Sequence, residues 1–193
     1  MPYPYPPGRI ESITGCMFSG KSEELVRRLT RCVYAKLPFQ VFKPEIDDRH
    51  GENCIGTHSE QTLAAEDIPS WNPLLILERI DPETRVVGID EAQFFEATIV
   101  EVCERLADKG VRVIVAGLDL DYRAKPFGWM PSLLARSDGG VTKVTAICSC
   151  GNQATRTHRF SQSKEQVVVG AADKYEPLCR ACYAKANPNR LYA

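Results

Sequence analysis

Eight residues near the start of the chain, Gly15-Cys-Met-Phe-Ser-Gly-Lys21-Ser22, narrow the possible fold more than any other feature. They match G-x-x-x-x-G-K-[ST] between a run of strand character, Arg9 to Thr14, and a long amphipathic segment beginning at Lys21. That order of strand, glycine-rich loop and helix is the context the motif requires. Two glycines let the backbone curl so that successive N–H groups and a helix N-terminus face one point, which suits phosphate oxygens. Lys21 would reach the outer phosphates, and the Ser22 hydroxyl would coordinate Mg2+.

The rest of the chain alternates. From Lys21 to Leu37 the residues Leu25, Val26, Leu29, Cys32 and Val33 recur at helical spacing, with Glu23/Arg27 and Glu24/Arg28 placing acid ahead of base on one face. Phe39 to Lys43 reads as a second strand, and a polar stretch without clear periodicity follows from Pro44 to about Pro73. Arg85 to Asp90 reads as a third strand. Ile99, Val100, Cys103 and Leu106 mark a helix that stops at Gly110, and Val111 to Leu118 forms a strongly apolar fourth strand. A short helix around Ser132 to Arg136 and a strand from Val141 to Ile147 complete the pattern. Such alternation predicts an α/β layer with a parallel sheet and right-handed crossovers. The Pro/Tyr-rich opening reads as a polyproline-like tail. No run approaches the ~18 apolar residues of a membrane helix, and the opening lacks the basic and apolar parts of a signal peptide, so the expected address is the cytoplasm.

A phosphate loop needs an acidic site at the end of a neighbouring strand, and Val86-Val-Gly-Ile-Asp90-Glu91 supplies one. Asp90 sits where a Walker-B-type carboxylate holds the Mg2+ shell, and Glu91 is placed to take a proton from a nucleophile.

Eight cysteines are present, four of them as Cys148-Ser-Cys150 and Cys179-Arg-Ala-Cys182, separated by 28 residues. Four thiolates from two short turns can close a tetrahedron around Zn2+ with no open position, as in a structural site. Cys32 and Cys103 lie on helical apolar stripes and read as buried thiols instead. Charge sets the same region apart: residues 1–145 hold 17 Lys+Arg against 22 Asp+Glu, and residues 146–193 hold 7 against 3. The whole chain nets −1, so it has no overall basic field to draw nucleic acid or membrane.

Read from residues alone, these features also allow a nucleic-acid-associated ATPase in which Glu91 activates water and the basic zinc module grips phosphate backbone. Seven basic residues spread over 48 positions form no dense patch, however, and the acidic main lobe would repel DNA. No Asn-Lys-x-Asp motif is present to read guanine, and a nucleotide-binding scaffold would have no need of Glu91.

Together with the phosphate loop, Asp47-Asp-Arg49, Thr57-His58, Asp90-Glu-Ala-Gln-Phe-Phe95, Gly117-Leu-Asp-Leu-Asp-Tyr122, Lys125-Pro-Phe127 and Ala172-Asp-Lys-Tyr175 before the second cysteine pair resemble the zinc-containing (type II) thymidine kinases. The resemblance runs in order from about Arg9 to Tyr183. It implies an α/β fold of the P-loop NTPase (RecA-like) class, a parallel sheet flanked by helices, with a small C-terminal zinc-ribbon or lasso domain. The corresponding boundaries are a tail at 1–8, a kinase domain at 9–145, a zinc-binding lasso at 146–185 and a C-terminal tail at 186–193.

It also implies ATP-dependent phosphorylation of the 5′-hydroxyl of thymidine, and of deoxyuridine, with structural zinc and with Mg2+ carried by ATP. Glu91 would be the general base. Gly15, Cys16, Met17, Phe18, Ser19, Gly20, Lys21 and Ser22 would hold the donor phosphates with Asp47, Asp48, Arg49, Asp90 and Gln93. Arg49 would lie against the transferring phosphoryl group, Asp47 near the sugar, and Ser22 and Asp90 on Mg2+. Gln166, Val167, Val168, Val169 and Gly170 would enclose the base through main-chain bonds, with Tyr175 at the sugar. Phe94, Tyr122 and Phe127 would pack round the nucleoside, with Met17 and Thr157 near the thymine methyl. A homotetramer inhibited by thymidine triphosphate, with no nucleic-acid or membrane partner, is implied by the same analogy. Two features depart from the family: Cys16 stands where proline is frequent, and the first cysteine arm is C-x-C. Phe94, Phe95 and Phe127 also suit a plain core, and His58 a structural hydrogen bond.

Overall fold

The strand that precedes the phosphate loop, β1 (Arg9–Thr14), looks too polar for the interior of a sheet, yet it is paired on both sides. Glu11, Ser12 and Thr14 are all buried, and each is satisfied. Glu11 pairs with Arg9 at 2.9 Å, Arg28 at 2.9 Å and Arg112 at 2.7 Å. Ser12 Oγ meets Ser137 Oγ at 2.6 Å, and Thr14 Oγ1 donates to the Gly117 carbonyl at 3.0 Å. Buried polar groups are tolerated when they are paired in this way. The computed structural model describes residues 8–46, 54–56, 62–160 and 174–188.

After β1 come α1 (Lys21–Tyr34), β2 (Phe39–Pro44), β3 (Cys54–Gly56), β4 (Thr62–Ala64), β5 (Glu66–Ile68) and α2 (Leu75–Arg79). Then follow β6 (Val86–Ile89), a 3₁₀ turn (Ala92–Phe94), α3 (Thr98–Asp108), β7 (Arg112–Gly117), α4 (Met130–Ala135) and β8 (Val141–Lys143). Six strands form one sheet in the order β5-β2-β6-β7-β1-β8, and every neighbouring pair is parallel. Alternation along the strands feeds two cores. On one face Val87, Ile89, Val113 and Val115 pack with Ile99, Val102, Cys103 and Leu106 of α3 and with Met130 and Leu133 of α4. On the other, Ile13, Val41, Ile114 and Ala116 pack with Leu25, Val26, Leu29 and Cys32 of α1. Gly88 lets α1 approach, since a Cβ there would stand 2.9 Å from Leu29 Cδ1.

The predicted parallel α/β layer is therefore present, with local differences that have physical causes. The first helix ends at Tyr34, before Leu37, because Lys36 turns left-handed (φ 53). Leu37 N then bonds Cys32 O and Lys36 N bonds Val33 O, a Schellman closure. The polar stretch after Pro44 contains the antiparallel β3–β4 hairpin and the edge strand β5. Three-residue strands are too short to show alternation. The expected strand from Val141 to Ile147 is two: β8 ends at Lys143, and β9 (Ala146–Ile147) leaves the main sheet to pair with β10 (Gln153–Ala154). A second small pair, β11 (Arg156–Arg159) with β12 (Tyr175–Leu178), precedes α5 (Arg180–Ala186). Among the described residues no helix is long and apolar enough to cross a membrane.

Candidate active site

The parallel sheet delivers the site residues to one edge, because the C-terminal ends of β1, β6, β7 and β8 all open there. β1 runs into the phosphate loop and α1. Gly15 has φ +155, and a Cβ on it would stand 2.3 Å from the Val144 carbonyl, so only glycine fits. Gly20 caps α1 in the left-handed region (φ 83), and Phe18 adopts the same region at φ 63. These turns fold the loop on itself. The Cys16 carbonyl accepts from Ser19 Oγ at 2.7 Å and from Lys21 Nζ at 3.0 Å, and Lys21 is buried.

The acidic pair stands one strand further away than the sequence suggests, since β7 lies between β1 and β6. The gap is closed by the Ser22 hydroxyl, which donates to Asp90 Oδ2 at 2.8 Å. A hydroxyl and a carboxylate form the hard oxygen pair that Mg2+ prefers. Glu91 is 4% exposed and sits in the left-handed region at φ 48, an unusual conformation for a non-glycine residue. Its N–H bonds Asp90 Oδ1 at 2.9 Å, and its carboxylate accepts from Gln93 Nε2. Gln93 Oε1 in turn accepts from Leu118 N at 2.9 Å.

Leu118 opens the loop that holds the expected nucleoside-facing residues. Asp121 shapes it, its Oδ1 accepting from Arg123 N at 2.8 Å and Lys125 N at 3.0 Å. Phe94 and Phe127 meet edge to face at 5.7 Å, while Phe95 is buried in the main core, as a plain core residue would be. Tyr122 lies under two guanidinium groups, Arg159 at 3.5 Å and Arg123 at 4.9 Å from its ring centre. Tyr183 Oη donates to the Tyr122 carbonyl at 2.6 Å. Asp119 and Lys143 pair at the ends of β7 and β8, on either side of β1.

The cysteine module is joined directly to the phosphate loop. Alternation on β11 turns Thr157 and Arg159 to the buried side, and Thr157 Oγ1 accepts from Met17 N at 3.1 Å. Cys16 is packed with Ala146, Cys148, Ala154, Leu178, Cys179 and Tyr183, and its Sγ donates to Ala154 O at 3.3 Å. Burial pushes the Cys16 thiol above its ordinary pKa, so this cysteine serves as a small buried hydrophobe. Tyr175 is buried on β12 opposite Arg159, the residue stacked on Tyr122. Asp47, Asp48, Arg49, Thr57, His58 and the Gln166 to Gly170 segment lie outside the described residues.

The sulfur atoms of Cys148, Cys150, Cys179 and Cys182 all lie within 4.8 Å of one another, and those of Cys150 and Cys179 are 3.7 Å apart. A tetrahedron with ~2.3 Å metal–sulfur bonds has an edge of ~3.8 Å, so the cage fits a metal such as zinc. The short first arm closes because Gly151 takes φ +85 and its N–H returns to the Cys148 carbonyl. Cys179 caps α5, accepting from Cys182 N at 3.4 Å. Asn152, through its main-chain and side-chain N–H groups, lowers the Cys150 thiol to about 6. The neighbouring thiols, Cys150 first, push Cys182 up to about 12.

The sequence identified most of these side chains, but neither the double engagement of Gln93 nor the stacking of Arg159 left a motif behind. Both depend on partners far along the chain.

The fold and the site define a P-loop nucleotide-binding protein of the α/β class. The thymidine kinase family model matches residues 8–183. A thymidine kinase of Bacteroides thetaiotaomicron is 47% identical over 180 residues, covering 93% of this chain and 88% of that protein. One of Porphyromonas gingivalis is 48% identical over 182 residues (93% and 87%), and one of Deinococcus deserti 47% over 194 residues (92% and 95%). The chain belongs to the thymidine kinase family.

Proposed function

We propose that this protein transfers the γ-phosphoryl group of ATP to the 5′-hydroxyl of thymidine, and of deoxyuridine, yielding the monophosphate. The observation that carries this reading is that Glu91, a buried carboxylate, directly follows Asp90, the residue that the phosphate-loop Ser22 hydroxyl bonds at 2.8 Å. A kinase needs that pairing: donor phosphates on one side and a proton acceptor for the incoming alcohol on the other. The 5′-hydroxyl gives its proton to Glu91 as its oxygen attacks the γ-phosphorus, and ADP departs. Lys21 and the Gly15 to Ser22 backbone hold the donor. Ser22 and Asp90 would hold Mg2+, which neutralises phosphate charge when bound.

Arg49 and Asp47 are assigned to the phosphoryl group and the sugar, with Asp48 beside them, on the family resemblance. The same ground gives Gln166 to Gly170 the base, Tyr175 the sugar, and Phe94, Tyr122 and Phe127 the nucleoside walls. Met17 and Thr157 sit near the thymine methyl in that reading, and their mutual hydrogen bond supports placing them together. We assign zinc to the four cysteines, in a module at 146–185 beside a kinase lobe at 9–145. Thiols used as ligands suit a reducing compartment, the cytoplasm. A homotetramer and inhibition by thymidine triphosphate follow from the family alone.

The test is ADP release with thymidine, other nucleosides and DNA. Glu91→Gln should retain ATP binding and lose ~10²-fold or more in turnover, as loss of a general base requires. Normal turnover in that variant, or hydrolysis stimulated by DNA and indifferent to thymidine, would overturn the proposal.

A further inference from the structure

Gln93 follows the base by two residues, is 3% exposed, and has its amide engaged at both ends. Nε2 donates to Glu91 Oε2, and Oε1 accepts from Leu118 N at 2.9 Å. It is also boxed in by two glycines. A Cβ on Gly117 would stand 2.7 Å from Gln93 Oε1, and a Cβ on Gly128, where φ is +50, would stand 2.3 Å from the Gln93 carbonyl. Those glycines flank the loop that carries Tyr122 and Phe127, and Phe127 packs on Phe94, the residue after Gln93. One residue is thus fitted between the base and both ends of the loop assigned to the nucleoside, its side chain at the Gly117–Leu118 end and its main chain at the Gly128 end.

The chemistry of the two partners selects the residue type. An ionised carboxylate only accepts, so its neighbour must donate; the Leu118 N–H only donates, so its neighbour must accept. A primary amide does both at once, whereas an ionised acid, a lysine or a methionine does not. The family resemblance groups Gln93 with the ATP site; its two bonds add a link to Glu91 and to Leu118.

We infer that Gln93 is a positioning residue that acts through Glu91, locking the carboxylate in its proton-accepting orientation and tying it to the nucleoside-facing loop. This rests on Glu91 being the base. General-base catalysis depends on that orientation, and a displacement of about 1 Å can cost ~10²-fold in rate.

Two variants test it. Gln93→Glu keeps size and the acceptor for Leu118 N–H but sets a second carboxylate against Glu91; Gln93→Met removes both bonds. Gln93→Glu should fold normally, bind ATP within about twofold of the parent, keep its KM for thymidine, and lose about 10- to 100-fold in kcat. In a Glu91→Gln background the same change should cost almost nothing, because its target is already gone. If Glu91→Gln cripples turnover while Gln93→Glu leaves kcat intact, or while the two losses multiply, the positioning role is overturned and the base survives. If Glu91→Gln itself is harmless, the base assignment falls. Should Gln93→Met fail to fold, Gln93→Glu alone decides.

Discussion

Replacing Thr157 with valine would break a side-chain hydrogen bond between the cysteine module and the main chain of the phosphate loop. Thr157 is 3% exposed and its Oγ1 accepts from Met17 N at 3.1 Å. Valine copies the shape and removes the hydroxyl, and with it the acceptor for Met17 N. A buried N–H left without a partner costs about 1–3 kcal/mol, more than the ~1 kcal/mol net value of an ordinary hydrogen bond. That cost divides between two measurable quantities. If the loop keeps its conformation, the loss appears as stability; if the loop relaxes, ATP must restore it and the loss appears as affinity. The two losses together should be about 1–3 kcal/mol, and if all of it fell on binding the Kd for ATP would rise about 5- to 150-fold. Urea unfolding and calorimetric titration with ATP, without nucleoside, measure both. Thr157→Ser, which keeps the hydroxyl, should recover most of the loss. A valine variant with stability and ATP affinity both unchanged to within about 0.3 kcal/mol would refute the claim that this bond holds the loop.

Metal analysis should find about one zinc per chain, and chelation or Cys179→Ser should cost hydrogen-exchange protection in β9 to β12 before it reaches the six-stranded sheet; equal loss in both, or no metal, would count against the zinc assignment. Acid should act through Glu11 and Glu24. Burial opposes the Glu11 charge, but hydrogen bonds from Arg112 and Arg9 outweigh it and hold its carboxyl below the ordinary 4.5; Glu24 is held at about 2 chiefly by Arg27. Folded-state values below the unfolded ones mean that this stabilisation is complete above about pH 4.5 and is lost as pH falls toward 2. Glu11→Gln should cost about 1–3 kcal/mol at neutral pH, since its arginine partners are only partly shielded, and should flatten the acid limb of stability against pH. An unchanged acid limb would contradict the assignment.

Much of the fold was legible where local pattern and burial agree. The α1 and α3 stripes, the apolar β7 and the glycine that ends α3 each carry their own periodicity or turn chemistry. The interior position of β1 was not legible, because its polar residues become core only when Arg28 of α1 and Arg112 of β7 arrive at Glu11. Nor was β5, whose Glu66 and Asp67 look like loop residues until β2 supplies a parallel edge. In the site, the phosphate loop, Asp90, Glu91 and the four cysteines stood out because their chemistry needs fixed spacing. The double engagement of Gln93, the stacking of Arg159 and the packing role of Cys16 did not, since each bonds or stacks across 25 or more residues of chain.

The amino-acid sequence by itself determined the chemical vocabulary: a loop that turns its amides to phosphate, an acidic pair at a strand end, and a cage of four thiols. Only the tertiary structure decided how these are joined, with Ser22 reaching Asp90 across an intervening strand, Thr157 gripping Met17, and Gln93 spanning Glu91 and Leu118. The reason is physical. Backbone conformation and hydrophobic period are set by near neighbours, whereas a hydrogen bond between distant residues exists only after packing has brought donor and acceptor within about 3 Å.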